Sequence, residues 1–316
     1  MSFPVPVGAI DVRPPHEARA RVKLLESLGY TRYWVTEHHT NAQSASPLVM
    51  LLVAASITQR IQIGTAGIML RYCNPLRLAK DLRLANTLFP DRLEFGFING
   101  RIRDEPSHIA MSSDSHDSWD YEKGVRAVGV FVHANEDAPV SSAIAGAPLK
   151  PSAIWIGTLK MPHAILAGQF GYRMAFHHYL AVQNTVAESV AIIGAYREAA
   201  EIAGHEPAAP VIVCYGACAT TESLARRRWT TSIGNGAHDW PLPHIADARS
   251  ASRSHPCFLG TPSDCVGQLG EIAAAYAPCE LVINCLAPQV EEISESYVLL
   301  AGAMGLCSPP ANRRFG

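Results

Sequence analysis

The chain is poor in charge. Asp, Glu, Lys and Arg make up 17% of 316 residues, and 26 basic against 28 acidic side chains leave a net charge of −2. That leaves no basic field for a phosphate backbone and no polybasic strip for a membrane surface, so neither nucleic acid nor a membrane is expected as partner. Long apolar runs are missing too. The longest, LVMLLVAASI from Leu48 to Ile57, is far below the roughly 18 residues of a membrane span. The opening MSFPVPVGAI has no charged region followed by an apolar one, so no signal peptide is expected. Eight cysteines include no CxxC pair. Cys214, Cys218 and Cys285 sit in apolar segments, where a reduced thiol packs as a small hydrophobe. A reducing cytoplasm is the expected location.

Several chemistries lose their motif. No H-x-H, H-E-x-x-H or Cys/His cluster occurs, no G-x-S-x-G elbow and no Walker pattern. No G-x-G-x-x-G follows a strand, which removes the doubly wound dinucleotide-binding sheet.

What the sequence does contain is alternation. VPVGAIDV precedes a segment in which Ala18, Val22, Leu25 and Leu28 recur at helical spacing and Gly29 supplies the stop. YWVT precedes a helix opened by Ser46-Pro47, and IQIGTAGIML one opened by Asn74-Pro75. RLEFGFI, AIWIG, RMAFHH, PVIVCYGA and ELVINCL each precede a further helical stretch. Eight such alternations predict an α/β fold, a (β/α)8 TIM barrel in one domain over 1–316. Two segments interrupt it, 134–150, rich in small residues, and 229–256, polar with two tryptophans. Loops of that length within a barrel are lids or disordered insertions.

A (β/α)8 barrel works at the carboxyl ends of its strands. Those ends read Glu37-His38-His39, Arg71-Tyr72-Cys73-Asn74, Ile98-Asn99-Gly100-Arg101, Thr158-Leu159-Lys160 and His177-His178-Tyr179. Polar loops occur at the rim of any barrel, so each of these also has a purely structural reading. Adjacent strand residues face opposite sides, so neither His38-His39 nor His177-His178 can readily hold one ion, and no metal is expected. Asn74 before a proline is equally a helix cap.

The motifs GYTRYWVTEHH, IQIGTAGIML with NPLRLAKDLRLANTLFPDRLEFGF, and FLGTPSDCVGQLGEI resemble the bacterial-luciferase-like flavin monooxygenases, a family that also includes coenzyme F420-dependent oxidoreductases. The likeness is strongest over the N-terminal third and reappears at 164–171 and 258–272; the two insertions lie outside it. The resemblance implies a luciferase-like barrel with an excursion after strand seven, and reduced FMN (FMNH2) lying across the strand ends. The flavin reacts with O2 to a peroxyflavin that oxidises a small or carrier-bound metabolite, and a separate flavin reductase supplies FMNH2. A homodimer is implied as well. Carried over residue by residue, the catalytic histidine falls on His38, with Glu37 orienting it or bonding the backbone and His39 facing away. A cis peptide falls at Ala66-Gly67, where small residues let the backbone approach the flavin.

The remaining cofactor-binding positions fall on Ile98, Asn99, Arg101, Lys160, His163 and His178. Tyr72, Asn74, His177 and Tyr179 are expected to line the substrate pocket. Two departures stand out. Ile98 and Asn99 replace the family's cysteine and arginine after the fourth strand, and Leu159 and Lys160 replace two phosphate-binding serines. Lys160 and His163 can still meet a phosphate, as point charges. The alternatives left open are an F420-dependent oxidoreductase, less favoured because few basic residues await its long charged tail, and a non-catalytic flavin-binding or dimer-partner subunit of the same fold.

Overall fold

A computed structural model of the protein describes residues 3–12, 15–39, 46–102, 104–112, 119–135, 146–181, 184–234 and 255–306. Short runs of β-branched and aromatic residues make its strands: β1 (Val7–Asp11), β2 (Arg32–Val35), β3 (Gln62–Met69), β4 (Leu93–Ile98), β5 (Ile154–Thr158), β6 (Arg173–Phe176), β7 (Val211–Cys218), β8 (Phe258–Gly260) and β9 (Glu280–Cys285). The helices are α1 (Pro15–Ser27), α2 (Pro47–Ser56), α3 (Pro75–Leu88), α4 (Glu105–Met111), α5 (Tyr121–Val132), α6 (Met161–Gln169), α7 (Val186–Ile202), α8 (Glu222–Gly234), α9 (Pro262–Ala275) and α10 (Val290–Met304).

All strand pairings are parallel, in the order β6-β5-β4-β3-β2-β1-β9-β7, and the β6–β7 pairing closes the ring. This is the (β/α)8 barrel that the alternation predicts. The short β8 is additional. Tyr215 O accepts from Cys257 N on one edge of β7 and Gly216 O from Leu286 N on the other. Consecutive carbonyls of a strand point to opposite edges, so β8 continues the edge that β6 occupies lower down.

The sequence pattern anticipates neither β8 nor α4 nor α9. The expected insertion at 229–256 also begins later: Trp229–Gly234 complete α8, and 235–254 lie outside the described residues. Of 134–150, 136–145 lie outside them. No helix among the described residues is long and apolar enough to cross a membrane.

Helix starts follow local chemistry. Asn74 caps α3 by accepting from Arg77 N, while Thr185 with Glu188 and Thr261 with Asp264 form capping boxes on α7 and α9. Tyr33 Oη donates to Asp11 at 2.6 Å, and Arg21 of α1 pairs with the same carboxylate, tying the first helix to the first strand.

Inside the barrel, side chains from alternate strands stack in layers. The lowest layer is ionic. Arg32, Glu94, Arg173 and Glu280 come from β2, β4, β6 and β9, and each arginine meets both glutamates: Arg32 at 3.7 and 2.5 Å, Arg173 at 3.4 and 2.6 Å. Above it Trp34 and Trp155 pack edge to face at 5.2 Å, and the Arg173 guanidinium lies 3.8 Å from the Trp155 ring centre. Trp34 Nε1 donates to Glu94 Oε2 at 2.8 Å. Gly64 makes room for that ring, since a Cβ there would fall 2.5 Å from Trp34 Cδ1.

Removing one member of a buried ionic ring leaves its partners uncompensated. Glu94→Ala is expected to cost about 3–5 kcal/mol, measured from the midpoint and slope of urea unfolding. Glu94→Gln, which keeps an acceptor for Trp34, should cost less. A loss for Glu94→Ala no larger than for an exposed Glu206→Ala would show that the ring contributes nothing.

Candidate active site

A cavity of about 500 Å³ opens at the carboxyl ends of the strands. Its floor is made of small or apolar residues, Ala66 of β3, Ile98 of β4 and Gly157 of β5, with Ile10 and Val12 closing the β1 side. Inward-pointing residues alternate along each strand, so β2 and its extension present Thr36 and His38 to the cavity.

Glu37 is buried, and both its oxygens are engaged. Oε1 lies 2.8 Å from His39 Nε2, and Oε2 accepts from Met69 N at 2.8 Å. The carboxylate therefore ties the end of β2 to the end of β3 and acts as a positioning group. The His39 ring does not line the cavity; it packs on Tyr72 with centroids 6.4 Å apart. Ala66-Gly67 is a cis peptide. Ala66 lines the cavity. Gly67 lies behind it, where a Cβ would come within 2.7 Å of Gly96 O.

The β4 and β5 ends carry the positive charge. Arg101, Lys160 and His163 all line the cavity, beside Asn99. Arg101 pairs with Glu105 at 2.7 Å. The Lys160 ammonium has no carboxylate partner among the described residues. Its backbone N–H donates to Thr158 Oγ1 at 2.8 Å, and that hydroxyl also lies 3.4 Å from His163 Nδ1. The His163 ring packs on Tyr121 at 4.6 Å, and Tyr121 Oη donates to Phe97 O. Burial, and then the charge of Lys160, hold the His163 pKa below the usual imidazole value, against the opposing pull of Glu122.

The adjoining wall, on β6 and β7, is aromatic and uncharged. His177, directly after β6, and Tyr179, in the 3-10 turn His178–Leu180, face Tyr215 of β7. Tyr179 and Tyr215 stack with centroids 3.8 Å apart and planes 21° from parallel. Burial lowers the His177 pKa to about 4 and raises both tyrosines.

Three expected residues lie elsewhere. Tyr72 Oη meets His108 Nδ1 at 2.7 Å and accepts from Ile102 N at 2.9 Å, so it holds the loop after β4 from behind rather than lining the cavity. Asn74 is the α3 cap; its side chain is taken up by the first helical turn. His178 points away from its neighbour His177, and its Nδ1 lies 3.0 Å from Tyr276 Oη. Sequence reasoning missed Tyr215, and it placed Thr158 at a strand end without giving it a role. Tyr215 sits within a strand rather than after it, so a rule that reads strand ends passes it by. Thr158 reads simply as a β-branched strand residue. No group of three or more His, Cys, Asp or Glu among the described residues could hold a metal ion.

Known proteins share the barrel. YceB, an uncharacterized protein of Bacillus subtilis (strain 168), is 25% identical over 329 aligned residues, covering 94% of this chain and 96% of its own length. The monooxygenase RslO1 from Streptomyces bottropensis superposes with a TM-score of 0.77 at 21% identity, covering 94% of this chain and 98% of that one. Two further barrels match at a TM-score of 0.70. One is the oxygenating constituent of 3,6-diketocamphane monooxygenase from Pseudomonas putida in complex with FMN, 14% identical over 96% of this chain and 98% of that one. The other is an F420-dependent secondary alcohol dehydrogenase in complex with an F420-acetone adduct, 13% identical over 95% and 99%. Residues 3–274 match the family model described as luciferase-like monooxygenase. The barrel and the span of that match together make this chain a member of the luciferase-like monooxygenase family, whose monooxygenases are oxidoreductases.

Proposed function

We propose that the chain is a reduced-FMN-dependent monooxygenase that passes one oxygen atom of O2 to a small or carrier-bound substrate and the other to water. The observation that carries this reading is the polarity of the cavity. Lys160, without a carboxylate partner among the described residues, stands with His163 and Arg101 on one side of a floor of small or apolar residues, and His38 stands across it. These residues fit a flat ring bearing a phosphate arm. Lys160 would hold the phosphate as a point charge and His163, its pKa held low, as a neutral hydrogen-bonding ring, with Arg101 at the rim. Ala66, Ile98 and Gly157 would lie beneath the ring, where the lack of bulk permits close approach.

Bound reduced flavin supplies the oxygen chemistry. The protein does the rest. His38 would take or give the proton that the reaction moves, held in place by the strand end that Glu37 anchors. The apolar floor and the Ile10–Val12 side keep water from the reacting centre. Reduced flavin would come from a separate reductase, consistent with a chain that carries no nicotinamide fingerprint. A homodimer is part of the same proposal. Helix α2 is apolar nearly all round, with Val49 58% exposed and Leu48, Leu52 and Val53 partly so, and a helix of that pattern ordinarily has both sides covered.

Anaerobic titration with FMNH2, followed by admission of air, tests the cofactor and the oxygen step. Tight binding and oxidation of the bound flavin at a rate clearly different from that of free flavin are expected. Binding with oxidation at the free rate would favour a non-catalytic subunit, and binding of reduced F420 alone would favour the deazaflavin reading. His38→Ala should retain flavin and flatten the pH dependence of its reoxidation; an unchanged pH profile would remove His38 as the proton-handling group. Lys160→Ala should weaken FMN about tenfold by calorimetry and leave riboflavin, which lacks the phosphate, unaffected. Equal loss of both ligands would take Lys160 away from the phosphate. Sedimentation of the wild type should give twice the 34.1 kDa chain mass, and Val49→Glu should halve it.

A further inference from the structure

The β6–β7 wall of the cavity has a feature that the cofactor reading leaves unused. His177 continues the inward-facing series of Arg173 and Ala175, so its ring turns into the barrel mouth. It fits there because Gly157 opposes it: a Cβ at that position would fall 2.7 Å from His177 Nε2 and 3.0 Å from Ile98 Cγ2. The other imidazoles near the barrel mouth or behind it have protein partners. His39 meets Glu37, His108 meets Tyr72, and His178 meets Tyr276. The His177 ring makes no hydrogen bond to any described residue, and the Tyr179 ring lies 5.8 Å from it.

Burial keeps that imidazole neutral near pH 7, since its pKa is pushed down to about 4. It therefore offers one acceptor nitrogen and one donor N–H, with no group among the described residues to take either. The ring is half-buried and faces the cavity, so a ligand that covers it must supply the missing partner or leave a desolvated polar group unmatched, which is unfavourable. Beside it, the stacked Tyr179–Tyr215 pair and Leu180 give a flat, uncharged surface. The cavity's cations stand on the β4 and β5 ends, and its one lining carboxylate, Glu37, is consumed by His39 and Met69. This wall therefore has nothing to neutralise a charged ligand and much to favour a planar one.

We propose that His177 and the stacked Tyr179–Tyr215 pair form the substrate subsite, selective for a neutral, planar, hydroxyl-bearing compound of the phenol class whose hydroxyl hydrogen-bonds to the His177 ring. The proposal takes its reaction from the monooxygenase reading, but the binding preference stands on the wall alone.

The test uses the full chain, with and without added FMN, and three probes read by calorimetry: 2-naphthol, naphthalene, which lacks the hydroxyl, and 2-naphthoate, which is anionic. Wild-type protein should bind 2-naphthol about tenfold or more tighter than either of the others. His177→Phe should abolish the advantage over naphthalene while naphthalene itself still binds. His177→Gln, which keeps a donor and an acceptor, should restore part of it. Tyr179→Leu should weaken 2-naphthol and naphthalene alike.

Equal wild-type binding of 2-naphthol and naphthalene, or a preference for 2-naphthoate, would overturn the proposal. So would a His177→Phe protein that binds 2-naphthol normally, or one that loses FMN and not 2-naphthol. If His177→Phe does not fold, the wild-type probe series and His177→Gln decide. Failure of wild-type protein to bind FMN would strike the monooxygenase reading, and the probe series on flavin-free protein would still score the subsite.

Discussion

Closing eight parallel strands into a ring creates an interior that must be filled, and the way this chain fills it sets everything above. Four long charged side chains, Arg32, Glu94, Arg173 and Glu280, meet at the bottom and neutralise one another. Two tryptophans cover them, taking the space that Gly64 leaves open. Bulk is thus spent at the amino ends of the strands. Toward the carboxyl ends the floor positions shrink to residues such as Ala66 and Gly157, and the barrel opens into a cavity instead of closing into a core. The ionic ring and the cavity are two ends of one packing solution.

The same alternation explains the paired histidines. His38-His39 and His177-His178 each follow a barrel strand, and in each pair one ring turns inward and the other outward. The outward rings are given partners, Glu37 for His39 and Tyr276 for His178, and become structural. The inward rings line the cavity from opposite sides. A sequence that looks like two metal-binding doublets is thereby two single imidazoles facing one space.

Much of this is legible in the sequence. Strand and helix period is a local property, so the eight-fold alternation could be read directly, and alternation of faces separated His38 from His39. Loss of legibility has physical causes. Strand β8 is three residues long and exists because β7 outlasts β6 and leaves an edge unpaired; nothing local in Phe258–Gly260 announces that. Tyr72 and Asn74 sit beside the cavity in sequence, but a short 3-10 turn carries one behind the wall and helix capping consumes the other. Tyr215 enters the cavity from within a strand, and its pairing with Tyr179 spans two strands whose juxtaposition only barrel closure provides.

The division of the cavity into a cationic side and an uncharged aromatic side acts before any ligand is fully seated. A molecule with one negative end feels a field gradient across the mouth, drawn toward β4 and β5 and not toward β6 and β7. Reversed entry forfeits that attraction and sets an anion against tyrosine rings. Such a mouth sorts head from tail at first encounter, so orientation is decided by long-range charge and only afterwards refined by contact.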